Sequence, residues 1–252
     1  MAKTAELNGR VAIVTGAGRN IGRAIALALA GDGAAVVVNA RANRAEADSV
    51  VKEIEAGGGQ ALAALADVAD AAAVEQMAAA AVKRFGRIDY LINNAALRGE
   101  KPLEQMTLAD WRKVMSVILE GAFNCAKACL PQLRRSGAGA IVNIGGLSAH
   151  TGSKHRVHVI TAKAGLVGFT RGLAHDLAGD NVTVNCVSPG LIDTPRDPNV
   201  PQPQHHAIHN TLTGKYGSSE DVAATVRFLC GPGARYITGQ VIHANGGAYI
   251  PG

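Results

Sequence analysis

The sequence predicts an α/β fold: a doubly wound, mostly parallel seven-stranded sheet with helices on both faces, in a single domain spanning 1–252. Two observations carry that prediction. Short, largely β-branched runs alternate strictly with longer Ala-rich stretches of helical periodicity, the pattern of a sheet covered on both faces by crossover helices. The chain has 252 residues at 48% hydrophobic content, enough to bury one large core, and no internal repeat or linker divides it.

Val11–Thr15 opens the sheet as a β-branched run, and the helical stretch Ile21–Ala30 follows. Ala35–Asn39, with three consecutive valines, is the second strand, and Arg44–Ala56 the next helix. Ala61–Ala66 takes its strand assignment from the alternation. Ala71–Phe85 is an Ala-rich helix before the short apolar strand Tyr90–Asn93. Two long helical stretches, Leu108–Leu133 and His155–Ala178, lead to the strands Ala140–Ile144 and Val182–Val187. The helix Ser219–Leu229 and the strand Gln240–His243 close the order. Pro189 to Tyr216, rich in Pro, Asn, Gln and His, is a long loop. It follows the C-terminal end of a strand, where open α/β sheets place ligands, so residues about 190–217 are expected to form a substrate lid.

Composition excludes several function classes. The formal charge is +5, but Lys and Arg are scattered, and the tight pair Arg134-Arg135 reads as the solvated end of a helix, which argues against nucleic acid. Cys125, Cys129, Cys186 and Cys230 show no C-x-x-C spacing and read as reduced core residues, as in a cytoplasmic protein. The start of the chain has no signal-like apolar segment, and no apolar run reaches the roughly 18 residues of a membrane span. The expected partner is a small-molecule substrate, with neither nucleic acid nor membrane.

The turn Thr15-Gly16-Ala17-Gly18-Arg19-Asn20-Ile21-Gly22 joins the first strand to a helix. Free N–H groups and the helix dipole at such a junction suit a pyrophosphate. Gly16 and Gly18 permit a tight turn and close approach of phosphate, and Gly22 lets helix and strand pack closely. A carboxylate after the second strand would bind free ribose hydroxyls. The sequence has Asn39-Ala40-Arg41 instead, with Arg19 available from the turn. Two guanidiniums there would clamp a 2′-phosphate, which predicts NADP(H) rather than NAD(H).

From these residues outward the chain resembles the short-chain dehydrogenase/reductase family nearly end to end. Thr15–Gly22 is similar to the family's T-G-x-x-x-G-x-G turn, with Asn20 in place of the middle glycine. Asp67-Val68 resembles the pair that meets the adenine, and Asn93-Asn94-Ala95-Ala96 the N-N-A-G segment beside the cofactor. Pro189-Gly190-Leu191-Ile192-Asp193-Thr194 looks like the stretch that touches the nicotinamide carboxamide. Ile237-Thr238-Gly239-Gln240 and Asn245-Gly246-Gly247 resemble the C-terminal signature, with Asn for Asp. The resemblance implies that Thr15, Gly16, Gly18, Arg19, Asn20, Ile21, Gly22, Arg41, Asp67, Val68, Asn94, Lys163, Pro189, Gly190, Ile192 and Thr194 bind the cofactor. It also implies a homotetramer or homodimer pairing the two long helices.

The departures from the family fall on its catalytic Asn-Ser-Tyr-Lys set. In Val159-Ile160-Thr161-Ala162-Lys163 the lysine is kept, but Val159 stands at the tyrosine's position. Thirteen residues upstream, at the serine's place, is Gly146; in Trp111–Gly121 the asparagine's place holds Ile118. Hydride transfer to a carbonyl leaves an alkoxide that an acid must protonate, and valine cannot. His150, His155 and His158 precede Lys163 closely. A helix begun by residue 155 would put His155 one turn before Val159, ahead of His158 as replacement acid/base beside Lys163. Ser148 reads as a loop or capping hydroxyl. His205 and His209 are four apart but lack the glutamate of a zinc-binding helix, so no metal is predicted. Three functions remain open: an oxidoreductase with a displaced acid/base, a non-redox enzyme on the same scaffold (lyase, isomerase or hydrolase), and a catalytically silent nucleotide-binding protein.

Overall fold

The structure is a computed structural model that describes residues 5–194 and 210–251. Chain order runs β1 (Val11–Val14), α1 (Asn20–Gly31), β2 (Ala35–Ala40), α2 (Arg44–Ala56), β3 (Ala61–Leu65), α3 (Ala71–Phe85) and β4 (Tyr90–Asn93). It continues with α4 (Leu108–Met115), a π turn over Ser116–Glu120, α5 (Gly121–Arg135), β5 (Ala140–Ile144), α6 (Ser148–Thr151) and α7 (Val157–Leu177). It ends with β6 (Thr183–Pro189), α8 (Ser219–Cys230) and β7 (Val241–Ala244). The seven strands form one sheet in the order β3-β2-β1-β4-β5-β6-β7, every pair parallel. The order reverses between β1 and β4, the switch point at which a crevice opens above the strands' C-terminal ends.

Strand periodicity divides the core between the two faces. Ala12, Val14, Val36 and Val38 face α1 and α8, where Ile25, Leu29, Val222 and Val226 are buried. Their neighbours Ile13 and Val37 face the opposite way, onto Val74 and Met77 of α3, Cys125 and Cys129 of α5 and Leu177 of α7. All four cysteines are buried and unpaired, as core residues. Four helix starts carry side-chain caps: Asn43 accepts from Glu46 N–H, Asp70 from Ala72 and Ala73, and Thr107/Asp110 and Ser218/Asp221 form reciprocal boxes.

Besides shifts of one or two residues at several element ends, three departures from expectation bear on the site. The stretch expected as one helix over Leu108–Leu133 is split by the π turn, where Gly121 N–H bonds to the Ser116 carbonyl five residues back. Gly121 is required there: a Cβ would lie 2.7 Å from Val68 Cγ2. Leu108–Arg135 as a whole also has the length and apolarity to cross a membrane, which the sequence reading did not expect; its inner side carries Cys125, Cys129 and Leu133 into the core. The helix expected from His155 begins at Val157, because Gly152 (φ +78) and His155 (φ +59) hold the preceding segment in left-handed backbone. A short helix, α6, also replaces the loop expected around Ser148. Of the lid at about 190–217, residues 195–209 lie outside the described residues, and His205 and His209 with them.

Candidate active site

The β1–α1 turn has backbone that its glycines permit. Gly16 has φ +61, and a Cβ on Gly22 would come within 2.3 Å of the Gly16 carbonyl oxygen, so neither position admits a side chain without displacing the turn. Asn20, at φ +49, occupies the left-handed region in which Asn is the best-tolerated residue after glycine. Asn94 clamps the turn from β4, its Nδ2 donating to the carbonyls of Thr15 (2.9 Å) and Gly16 (3.0 Å). Thr15 Oγ1 accepts from the N–H groups of Asn94 and Ala95, both at 3.0 Å. Asn39 Oδ1 accepts from Gly16 N–H at 3.2 Å, and its Nδ2 donates to Ala64 and Ala66, which fixes the end of β2. Asn39 is therefore a structural residue, and β2 ends without a carboxylate.

Above the turn lies a cleft of about 670 Å³. It gathers Gly16, Gly18, Arg19, Asn20, Ile21, Gly22, Arg41, Asp67, Val68 and Asn94 of the expected set. Thr15, Lys163, Pro189, Gly190, Ile192 and Thr194 do not line it. Thr15 supports the turn from below, and Ile192 is buried, bridging to Gly217. Pro189 accepts from Leu147 N–H, and Gly190 lies against Asn245, whose Cα would be 2.6 Å from a Cβ there. Thr194 Oγ1 is buried without a hydrogen-bond partner among the described residues. The cleft also takes in residues that sequence reasoning missed, among them Glu46, Leu97, Arg98 and Val117. Glu46 gave no signal because a glutamate in a helix's first turn reads as a dipole partner.

Lys163 is buried on α7 and donates to the Ile144 carbonyl. Burial pulls its ammonium down to about 8; the nearby Cys186 thiol opposes that and Arg98 adds to it, while burial pushes Cys186 up to about 11. Ile118 and Val159 are 2% and 4% exposed and lie in one apolar cluster with Val114, Ala122, Ala162 and Leu166, with Leu97 packed on it. Gly146 is open: a Cβ there would meet nothing within 4 Å.

The histidines separate. His155 precedes α7, is exposed, and its carbonyl accepts from Lys101 N–H at 2.6 Å, so it is not on the helical face of Lys163 as expected. His158 is on α7, 4% exposed, and its Nδ1 has no hydrogen-bond partner among the described residues. Burial, with Arg156 and Lys101 adding and Asp110 opposing, holds its pKa below the ordinary imidazole value. Its Nε2 would lie 3.9 Å from a Cβ on Gly99, in the segment following Leu97 and Arg98. His150 packs instead with His243 and Tyr249, at ring separations of 4.7 and 5.3 Å. Among the described residues no three His, Cys, Asp or Glu side chains converge as a metal site.

Over residues 16–249 the chain matches the family described as enoyl-(acyl carrier protein) reductase. It is 42% identical over 242 residues to a 3-oxoacyl-[acyl-carrier-protein] reductase of Synechocystis, covering 96% of this chain and 97% of that protein. Among solved structures it resembles a short-chain dehydrogenase of Burkholderia cenocepacia in complex with NADP (36% identity, TM-score 0.89, 96% and 99% of the two chains). It also resembles a 7α-hydroxysteroid dehydrogenase complexed with NADH and a 7-oxo bile acid (33%, TM-score 0.90, 97% and 96%). The sheet order, the glycine turn under Asn94 and these similarities together place the chain in the short-chain dehydrogenase/reductase family of oxidoreductases.

Proposed function

We propose that this chain is an NADP(H)-dependent oxidoreductase of small carbonyl or alcohol compounds in which His158 takes the proton-transfer role, with Lys163 orienting the nicotinamide ribose. The residues fit the dinucleotide: two glycines whose Cβ space is closed, turn N–H groups at a helix start, and Arg19 and Arg41 at the adenosine end. When bound, the nicotinamide supplies or accepts the hydride. Aligned on the family, Gly146, Val159 and Ile118 stand where its Ser, Tyr and Asn stand, so the proton must come from another group. The observation that carries the reading is the buried Nδ1 of His158, unpartnered among the described residues and one residue from Val159. A buried polar atom left unpaired costs about 1–3 kcal/mol, a cost that a substrate hydroxyl or carbonyl within reach would remove. With its pKa depressed, His158 is a neutral imidazole at pH 7, ready to accept a proton from an alcohol.

The test is His158→Gln assayed with NADPH and NADP⁺ against a panel of 3-oxoacyl thioesters, ketones and their alcohols. A fall in kcat of roughly 100-fold or more, with nucleotide affinity kept, supports the assignment; unchanged kcat removes it. A second reading, a catalytically silent nucleotide-binding protein, is favoured by the joint burial of Ile118 and Val159 in one apolar cluster. Nucleotide binding with no turnover on any panel member supports that alternative. Self-association into a dimer or tetramer through α5 and α7 belongs to the same proposal, supported by the exposed Phe123 on α5; light scattering measures it.

A further inference from the structure

Glu46 is held at the adenosine end of the cleft. It is the third residue of α2, with its backbone fixed by the Asn43 cap, and the next residue, Ala47, is fully buried. Its side chain reaches across the mouth of the cleft onto the turn: a Cβ built on Gly18 would lie 3.0 Å from Glu46 Cβ and 3.2 Å from its Oε2. Arg19 and Arg41 line the same end. Among the described residues none of these three side chains is engaged in an ion pair or hydrogen bond, so the carboxylate is not neutralised by either guanidinium.

We infer that Glu46 is a specificity-determining residue that opposes the two arginines in choosing between phosphorylated and unphosphorylated dinucleotides. The inference rests on the NADP(H) reading above. An adenosine ribose with free hydroxyls offers donors, which a carboxylate accepts. A 2′-phosphate offers only negative charge. It attracts Arg19 and Arg41 and is repelled by Glu46, over a few ångströms at the rim of a protein cleft where like charges still interact strongly. The end of β2 carries Ala40, so any carboxylate facing the ribose must come from elsewhere, and α2 delivers one over Gly18. The selectivity is therefore a balance of two cations against one anion, and the protein accepts NADH more readily than its arginines alone would allow. Gly18 serves this arrangement too, since any side chain there would push the carboxylate off the turn.

The experiment titrates NADPH, NADH and adenosine 2′,5′-bisphosphate by calorimetry into the wild-type protein, Glu46→Gln and Glu46→Ala, with thermal melts of each without nucleotide to establish folding. Removing the charge is expected to tighten NADPH and the bisphosphate roughly fivefold and to leave NADH unchanged or weaker, in both variants. An unchanged or reduced preference for NADPH in a folded variant overturns the role of Glu46 while the cofactor reading stands. Wild-type protein that binds NADH but not NADPH overturns both. Should Glu46→Gln not fold, Glu46→Ala decides by the same ratio; should neither fold, Glu46→Asp, which keeps the charge but withdraws it by one methylene, is expected to raise the preference for NADPH in the same direction, and an unchanged or reduced preference overturns the inference.

Discussion

Ile118 of the π turn and Val159 of α7 are packed in one buried apolar cluster, 2% and 4% exposed, at the two positions that the proposed function aligns with the family's Asn and Tyr. On the alignment behind the proposed function, two positions on different elements that are polar in the family fall in one patch of core. Gly146, at the third position, faces open space.

That contrast predicts unequal costs for restoring the family set. Gly146→Ser is expected to change stability by no more than about 0.5 kcal/mol, since its Cβ meets nothing. Ile118→Asn and Val159→Tyr each place a polar group in a filled apolar site and are expected to cost about 1–3 kcal/mol. Urea midpoints of the three single variants give the comparison.

If Lys163 holds the nicotinamide ribose as proposed, nucleotide affinity is expected to depend on pH in the alkaline range. With its ammonium lowered to about 8 by burial, the charge is present below that pH and lost above it. Dinucleotide affinity is expected to be level from pH 6.5 to 7.5 and to fall as pH rises through 8 to 9. Lys163→Met is expected to bind at least tenfold more weakly and to abolish that pH dependence.

Three half-buried or buried histidines are expected to lower stability at acid pH. Burial lowers His150, His158 and His243, with Arg171 adding at His150 and His150 adding at His243. The unfolded chain then takes up protons near pH 6.5 that the folded chain resists until lower pH. Stability is full above 6.5 and declines as pH falls through the depressed folded values. Melting temperatures from pH 7.5 to 5 measure this, and His243→Gln should flatten the decline.

Asp89 anchors the bottom of the sheet. Burial pushes its carboxyl up, but hydrogen bonds from Arg87, Ser136, Arg10 and Val11 N–H outweigh that and hold it below its ordinary value. Asp89→Ala strands two guanidiniums and a buried N–H and is expected to cost about 3 kcal/mol or more, read as a urea midpoint shift without change in nucleotide affinity.

The turn itself is intolerant of one methyl group. Gly22→Ala would place Cβ 2.3 Å from the Gly16 oxygen and 2.6 Å from Asn94 Nδ2, so the clamp must open. Loss of dinucleotide binding in a chain that retains its far-UV spectrum is the expected outcome.

By itself the sequence determined the sheet, because strand and helix periodicities are local and the strict alternation of elements admits few topologies. It also determined the tight β1–α1 turn, whose glycines are legible as glycines. Tertiary structure alone decided the rest. Asn39 reads in sequence as a missing ribose ligand but hydrogen-bonds two carbonyls of the neighbouring segment, a partner choice no spacing encodes. Sequence spacing ranked His155 ahead of His158, and the structure reverses that order. They part because left-handed backbone at His155 delays α7 to Val157, leaving one imidazole in solvent and burying the other. Glu46 meets Gly18 only because parallel pairing of β1 with β2 brings the start of α2 beside the first turn. Local propensity is written residue by residue, whereas the position of a charge in a cleft depends on contacts between segments far apart in the chain.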